Sequence, residues 1–416
     1  MTAAMIRPAP TPPAEPLAWS IGVPRLLAGL DHGLNRLDQR AHHATHGPQP
    51  AVELPRLVGM LDGVALAGRG GAGFPLAAKI RALPAETRRE VVINGCESEP
   101  ASIKDRLLLR FSPHLVLDGA LGLAASLGAH RVTLAVHDSM SADSVRDAVA
   151  ERSDARIVRI HRVPGGFVSG EARAVMRSIR GGPAIPPGRR IHASSFGAIL
   201  GNVETFAQLA VLLRLGPQRY GGTGSLAEPG STLLSLGGAV SRAGVVEVPL
   251  GTPLGVLLEA SHAAPAQAVV VGGYHGRWLA ADPELRLSRA GVAHAGGSFG
   301  AGVVLVLDHT TCGLGELVRV TDWLAAESAR QCGPCLFGLP ALARDVRAIW
   351  TGDRNGLAWG LRHADLVDGR GACRHPDGAA QFVRSGLAAL SDDIAAHLRG
   401  GCGRPVRGQL PIGGSR

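Results

Sequence analysis

A chain of 416 residues, 45% hydrophobic and 19% charged, is long enough for two to four domains with their own cores. It contains no apolar run of about eighteen residues that would cross a bilayer. Aromatic residues make up only 4%, too few for the stacking faces that single-stranded nucleic acid needs. The formal charge of +9 is scattered in short pairs such as Arg88–Arg89 and Arg189–Arg190. With no helix-turn-helix, finger or RNA-binding signature, it reads as a solvated basic surface without a nucleic-acid partner. The start, Met1-Thr2-Ala3-Ala4-Met5 and then the proline-rich stretch Pro8 to Pro16, lacks the apolar core of a signal peptide. The expectation is therefore a cytoplasmic chain, with docking on a membrane partner left open. The six cysteines, Cys96, Cys312, Cys332, Cys335, Cys373 and Cys402, are expected to be free of a disulfide framework.

In chain order, one amphipathic helix is predicted around Pro24–Leu37, followed by a linker from His42 to Pro50. Leu54–Leu61 fits a helix, and a glycine-rich loop follows at Gly68–Phe74. The β-branched run Val91–Ile93 suits a buried strand. Lys104–Leu127 reads as helices interrupted at Pro113, Arg131–Val136 as a strand, Ser141–Glu151 as a helix, Arg156–Val163 as a strand and Gly170–Ile179 as a helix. Strands alternating with helices imply a parallel sheet covered on two faces, an α/β fold. After Pro217 the pattern changes to short strands, Ser231–Leu236, Gly244–Val248 and Ala268–Val271, with a crossing helix at Pro253–Ala260. A strand at Val303–Leu307 then leads into helical sequence up to Leu398, and the glycine-rich end from Gly400 to Arg416 reads as frayed.

Four polar segments stand out. Gly68-Arg69-Gly70-Gly71-Ala72-Gly73-Phe74-Pro75 lets backbone N–H groups approach an anion without Cβ atoms in the way, and Lys79 adds a cation suited to a phosphate. The bland reading of that loop is a structural turn. Asn94-Gly95-Cys96-Glu97-Ser98-Glu99-Pro100 follows a strand directly, where open α/β sheets bind ligands. Asn94 can address a heteroaromatic ring, and Glu97 and Glu99 can accept from ribose hydroxyls or contact a nicotinamide. Gly165-Gly166-Phe167-Val168-Ser169-Gly170-Glu171 and Gly201-Asn202-Val203-Glu204-Thr205 each open a helix, and Asn202 and Thr205 can meet a phosphate or a flavin edge there. Helix capping is the ordinary alternative for each. Cys332-Gly333-Pro334-Cys335 places two thiols about one turn apart, with Cys373 available to close a site. A redox dithiol and a zinc site are the alternatives, but the strand before a thioredoxin-like pair and a second zinc pair are both missing.

Together and in this order, these segments resemble the flavin-binding subunit of respiratory NADH dehydrogenase and its relatives among hydrogenase and formate-dehydrogenase subunits. That family carries a GRGGAGFP loop with a following lysine, a strand ending in N-A-D-E-G-E-P, a Y-x-C-G-E-E segment, an N-N-V-E-T segment, and E-S-C-x-x-C-x-P-C with a distant fourth cysteine. The resemblance covers about residues 54–398. It implies a Rossmann-like flavin domain, a small β-grasp-like domain of the SLBB type and a C-terminal helical iron–sulfur domain. The matching division is 1–50 as extension and linker, 51–225, 229–295, 296–400, and 401–416 as a flexible tail. By resemblance, Gly70, Gly71, Gly73, Lys79, Asn94, Gly170, Glu171, Asn202 and Thr205 line an FMN site, and Glu97 is a further candidate cofactor contact. Phe74 and Glu99 face NAD(P)H as substrate, Glu99 and Glu171 are the candidate catalytic carboxylates, and Cys332, Cys335 and Cys373 hold a [4Fe–4S] or [3Fe–4S] cluster. The implied partner is an electron-transfer protein, a ferredoxin-like or thioredoxin-like iron–sulfur subunit, with membrane-complex or quinone-linked subunits beyond it.

The departures from the family are specific. Its aspartate in N-A-D-E is Cys96 here, its tyrosine is Phe167, and the second glutamate of G-E-E is Ala172. The lysine and phenylalanine of its K-P-P-F segment are Ile185 and Gly188, with Arg189 and Arg190 nearby as substitute cations. Its first cluster ligand is Ala329. The wording of Asn94–Pro100 is also similar to the N-G-A-E-C-E-P of the Rnf-complex C subunit. Three readings follow: an NAD(P)H-oxidising flavoprotein, an electron-transfer subunit without NADH oxidation, and a non-catalytic assembly protein.

Overall fold

The structure is a computed structural model that describes residues 17–30, 33–85, 88–188 and 192–413. The chain opens with strand β1 (Ala18–Ser20) and helices α1 (Gln39–His46), α2 (Leu54–Gly63) and α3 (Leu76–Arg81). An alternating stretch follows: β2 (Glu90–Gly95), α4 (Lys104–Phe111), α5 (Pro113–Leu127), β3 (Arg131–Val136), α6 (Ser139–Ala150), β4 (Val158–Arg162), α7 (Ala172–Ile179), β5 (Ala198–Asn202) and α8 (Val203–Gly221). Its four strands form an all-parallel sheet in the order β4-β3-β2-β5. Apolar runs such as Val91–Ile93 are fully buried, as expected where helices cover a sheet. Ser112-Pro113 breaks α4 from α5 because proline cannot continue the preceding helix. Gly119 lets α5 cross α8 closely, since a Cβ there would lie 1.9 Å from the Phe206 carbonyl oxygen.

The second layer contains β6 (Ser231–Gly238), β7 (Gly244–Pro249), β8 (Thr252–Pro253), α9 (Leu254–Ala260), β9 (Ala266–Val271), β10 (Arg277–Leu279), β11 (Arg286–Leu287), α10 (Arg289–His294) and β12 (Val303–Asp308). A six-stranded mixed sheet runs β1-β7-β6-β12-β9-β10, and β8 pairs with β11. The remainder is helical: α11 (Gly313–Ala326), a π turn at Pro334–Gly338, α12 (Leu339–Trp350), α13 (Gly356–Val367), α14 (His375–Ala389) and α15 (Ser391–Leu398). The expected division at residue 296 runs through this architecture, because β12 lies in the middle of the mixed sheet between β6 and β9. The extension also contributes a strand, since β1 pairs with β7.

Two further expectations are corrected. Pro24–Leu37 forms no helix among its described residues. The Glu247 carboxylate instead accepts from the backbone N–H groups of Arg25, Leu26 and Leu27 at 2.9, 2.9 and 3.0 Å, and Gly29 takes φ +82°. The helix comes later, at α1, where Asp38 caps the N–H of Ala41 at 2.8 Å, and it occupies half of the supposed linker. The end of the chain is not frayed up to residue 413. Val406 and Leu410 are buried, the Cys312 N–H donates to the Pro405 carbonyl at 2.8 Å, and the Gln409 N–H donates to Glu316 at 3.1 Å. The glycines masked an apolar pair spaced to reach the helical core.

Among the described residues, no single helix is long and apolar enough to cross a membrane. The bent pair α4 and α5 passes by length and composition alone, and it is mostly core.

One buried polar knot ties the first sheet's helices together. Asp118 on α5 accepts from His42 Nε2 at 2.7 Å and from Arg152 at 2.6 Å, and it pairs with Arg214 on α8. Burial would raise this carboxyl, but the His42 hydrogen bond and the two guanidiniums override it and hold it below the usual carboxylate range. Asp118→Asn leaves the nearly buried Arg214 guanidinium without its counter-charge and Arg152 with Asp154 alone, which should cost on the order of 3–5 kcal/mol. Urea unfolding checks this; a midpoint within experimental error of the parent would contradict it.

Candidate functional site

The C-terminal ends of β2 and β5 open into a cleft of about 930 Å³. Its floor is the loop Gly68–Phe74 and its sides are the Asn94–Glu99 turn, Gly170, Glu171 and Asn202. The far wall comes from the mixed sheet and the helical part, through Gly272, His275, Gly300, Cys373 and His375.

The glycine loop is a closed turn, in which the Gly68 N–H donates to the Phe74 carbonyl at 3.1 Å. Gly71 and Gly73 have φ of +100° and +65°, a region L side chains rarely adopt. A Cβ on Gly70 would lie 3.0 Å from Asn202 and one on Gly73 would strike Arg289. Lys79 is half-buried and lines the cleft. Its ammonium donates to the Leu200 carbonyl at 2.8 Å, and no carboxylate pairs with it among the described residues. Burial lowers its pKa. An enclosed cation without a counter-charge beside open backbone N–H groups fits the phosphate of a mononucleotide. Phe74 stands 52% exposed on the cleft lining.

Several predicted residues reach the site in a supporting part. Thr205 is fully buried behind the loop, where its hydroxyl accepts from the Arg69 N–H at 2.9 Å. It shapes the cradle and does not line the cleft. Glu97 lines the cleft, but its two oxygens accept from the Asp105 and Arg106 N–H groups at 3.1 and 3.0 Å and from the Ser102 hydroxyl, capping α4. Glu171 caps α7 through the Arg173 N–H and pairs with that side chain at 2.9 Å. Asn94 donates to the Gly170 carbonyl at 3.0 Å, and Gly170 is needed for packing, because its Cβ would fall 2.5 Å from the Cys96 carbonyl. Arg189 and Arg190 lie outside the described residues.

Sequence reasoning missed an ionic group under the cleft. Lys104 is buried and bonds Asp105 at 2.9 Å and Glu204 at 3.0 Å, while Asn202 donates to Asp105. Arg69 lies 3.8 Å from Glu204 on the other side. Burial alone would discharge Lys104, but its carboxylate neighbours raise it instead. The only signal was the run Lys104-Asp105 after Glu-Pro, which reads as an ordinary helix start. His275 was also missed; it stacks edge-on to Phe167 at 4.8 Å.

Glu99 is 9% exposed and accepts from the Tyr274 N–H at 2.8 Å. Burial pushes its carboxyl up to about 7, against that hydrogen bond. The folded chain therefore keeps a proton that the unfolded chain releases near its ordinary value of 4.5. The stability from the neutral acid is complete below pH 4.5 and lost as pH rises through about 7. Glu99→Gln cannot ionise. Its stability advantage over the parent should grow between pH 5 and pH 8 by on the order of 2–3 kcal/mol, read from unfolding midpoints; a pH-independent difference would refute the titration.

Cys332 and Cys335 place their sulfurs 3.5 Å apart at the π turn. Cys373 is buried within electrostatic reach of the pair, and it lines the same cleft as the glycine loop. Burial pushes the Cys335 thiol up to about 12 in the absence of a metal. Such a trio fits three corners of a cluster. His375 is beside it, but its Nε2 faces the Leu324 carbonyl at 2.8 Å and its Nδ1 faces His275 at 3.0 Å, so neither nitrogen is spare. Cys312 and Cys402 are at the opposite end of α11, whose 14 residues span about 21 Å.

A nucleotide-shaped cleft over a parallel sheet, facing a cysteine trio, defines a flavin and iron–sulfur protein, and the comparisons agree. The Nuo51 FMN-binding domain matches residues 62–211, and the NADH-ubiquinone oxidoreductase-F iron-sulfur binding region matches residues 315–397. The F-type NADH-quinone oxidoreductase subunit of Mycobacterium tuberculosis is 29% identical over 388 residues, 85% of this chain and 87% of that protein. Its Escherichia coli counterpart is 26% identical, covering 94% of each. A chain of the NAD+-reducing [NiFe]-hydrogenase in the air-oxidized state superposes with a TM-score of 0.81 at 25% identity, covering 92% of this chain and 68% of that one. In the H2-reduced state the TM-score is 0.75, and this chain spans 63% of the hydrogenase chain. Over these two regions the chain is similar to the FMN-binding and iron–sulfur-binding parts of F-type NADH-quinone oxidoreductase subunits.

Proposed function

We propose that this chain is an electron-transfer oxidoreductase subunit that holds FMN on the glycine loop and an iron–sulfur cluster on Cys332, Cys335 and Cys373. The observation that carries the reading is one cleft lined at one end by Gly68–Phe74 and Lys79 and at the other by Cys373. A flavin accepts a hydride and releases electrons singly, which suits a site between a nicotinamide and a cluster. Within it, Lys79 and the loop N–H groups hold the phosphate, Asn94 and Asn202 fix the strand ends around the ring, and Glu99 keeps or loses a proton near neutrality. Phe167 spans the join to the helical part, with its N–H on Glu327 at 3.0 Å and its ring against His275 and Trp323. Glu99 and Glu171, both on the cleft lining, are the candidate catalytic carboxylates.

The domain assignment proposed with it is a flavin domain on the parallel sheet, an SLBB-type β-grasp-like unit on the mixed sheet and a helical iron–sulfur domain. The proposed setting is cytoplasmic, peripheral on a membrane complex through partners. The proposed acceptor is an iron–sulfur protein of ferredoxin-like or thioredoxin-like fold. Anaerobic titration of the purified chain tests the reading: flavin bands bleached by NADH or NADPH support it, and a colourless protein overturns it.

A second reading, electron transfer from a ferredoxin-like donor without NADH oxidation, is favoured by Cys96, Ala172, Ile185 and Gly188, where the family has an aspartate, a glutamate, a lysine and a phenylalanine. Losing one charged hydrogen bond is worth roughly 1.5–3 kcal/mol, about tenfold or more in affinity. Dinucleotide affinity should therefore be weaker than low-micromolar. Fluorescence titration with NADH checks this, and tight binding to the isolated chain would exclude the second reading.

A further inference from the structure

We propose that Cys312, His397 and Cys402 form a second metal centre, a Cys2His site for zinc, separate from the iron–sulfur cysteines and independent of the flavin. Their ligand atoms all lie within 4.8 Å of one another. Cys312 Sγ is 3.3 Å from His397 Nε2. The residues are 85 and 90 positions apart along the chain, so the fold alone assembles them.

Each ligand is already oriented. His397 Nδ1 donates to the Trp350 carbonyl at 2.7 Å, which places the ring proton on Nδ1 and turns the Nε2 lone pair toward the two sulfurs. A hydrogen bond to the distal nitrogen is how metal-binding imidazoles are usually fixed. Cys312 sits at the N-cap of α11, and its sulfur is held in place by accepting from the Gly315 N–H at 3.2 Å. Cys402 is delivered by Gly400, Gly401 and Gly403, with φ of +123°, +122° and +68°, which turn the chain back after α15. The Pro405 carbonyl then accepts from the Cys312 N–H at 2.8 Å, holding that segment against the β12–α11 junction.

Two thiolates and an imidazole are a soft donor set that suits zinc. The nearby carboxylate, Asp393, is spent on Arg404 and on the Leu314 N–H at 3.3 Å. With no fourth protein ligand in the group among the described residues, solvent takes the remaining position. Binding releases the two thiol protons, and the dication with two thiolates is neutral, so no oxidant or reductant is involved. The ion clips the C-terminal segment onto the helical part.

The test is elemental analysis of the purified full chain after incubation with Zn2+ and desalting, with iron and flavin measured on the same sample. The expected result is about one zinc per chain, with zinc-edge absorption showing two sulfurs at about 2.3 Å and a nitrogen at about 2.0–2.1 Å. Cys402→Ser and His397→Ala should each lower retained zinc at least tenfold with iron and flavin unchanged. If a variant fails to fold, the zinc-edge ligand count of the parent chain decides alone. Absence of zinc in the parent, a sulfur-free zinc shell, zinc retained in Cys402→Ser, or a Cys312–Cys402 disulfide in a non-reducing peptide map overturns the site.

Discussion

Gly71→Val is expected to yield a folded chain that no longer retains flavin. Gly71 sits at φ +100° in the middle of the loop, where a β-branched residue is strained by about 1–3 kcal/mol. The space around it is open, since its Cβ would meet nothing nearer than Gly300 at 3.8 Å. The fold therefore survives, and the damage falls on the cradle. The loop must relax away from positive φ, which turns its N–H groups out of line, and the added methyls project toward Gly300 across the cleft. Flavin released by acid per chain, with circular dichroism as the folding control, reads the outcome. Wild-type flavin content in Gly71→Val would end the assignment of this loop to a phosphate.

The same loop shows what sequence can and cannot give. Glycines at 70, 71 and 73 were readable as a glycine-rich loop, and the positive φ at 71 and 73 gives glycine a conformational reason there. The parallel sheet was readable because Val91–Ile93 and Arg131–Val136 are short β-branched or apolar runs between helical patterns, and Pro113 marked the break between α4 and α5. What failed was whatever depended on a distant partner. Leu26, Leu27 and Leu30 have helical spacing, yet Glu247, more than two hundred residues on, takes the backbone donors of Leu26 and Leu27. Thr205 and Glu97 looked like ligand contacts because polar residues at helix starts do either job. Only geometry shows that one braces Arg69 and the other caps α4. The final segment looked mobile because glycine dominates it, whereas Val406 and Leu410 bury it. Nothing local to Cys312 announces His397, 85 residues further on.

The cluster is expected to depend wholly on Cys335 and to carry one labile iron. Cys332, Cys335 and Cys373 are gathered at one place, and Ala329 stands where the family supplies its first thiolate. The other candidate ligands are removed by position: Cys312 and Cys402 are grouped with His397, and the two nitrogens of His375 face Leu324 and His275. With three protein thiolates, the fourth iron keeps a weak ligand such as water, and a non-thiolate ligand is expected to raise the potential, as histidine does in Rieske centres. Oxidised protein should therefore show a [3Fe–4S] signal by electron paramagnetic resonance, and added ferrous iron under reducing conditions should remove it. Cys335→Ala should lose nearly all cluster iron, and Ala329→Cys should suppress the [3Fe–4S] signal by returning a fourth thiolate. Cys312→Ser and Cys402→Ser should keep full iron, because those sulfurs are far along α11. An intact cluster in Cys335→Ala would remove the basis for placing it here, and iron loss in Cys402→Ser would show that the C-terminal segment is recruited after all.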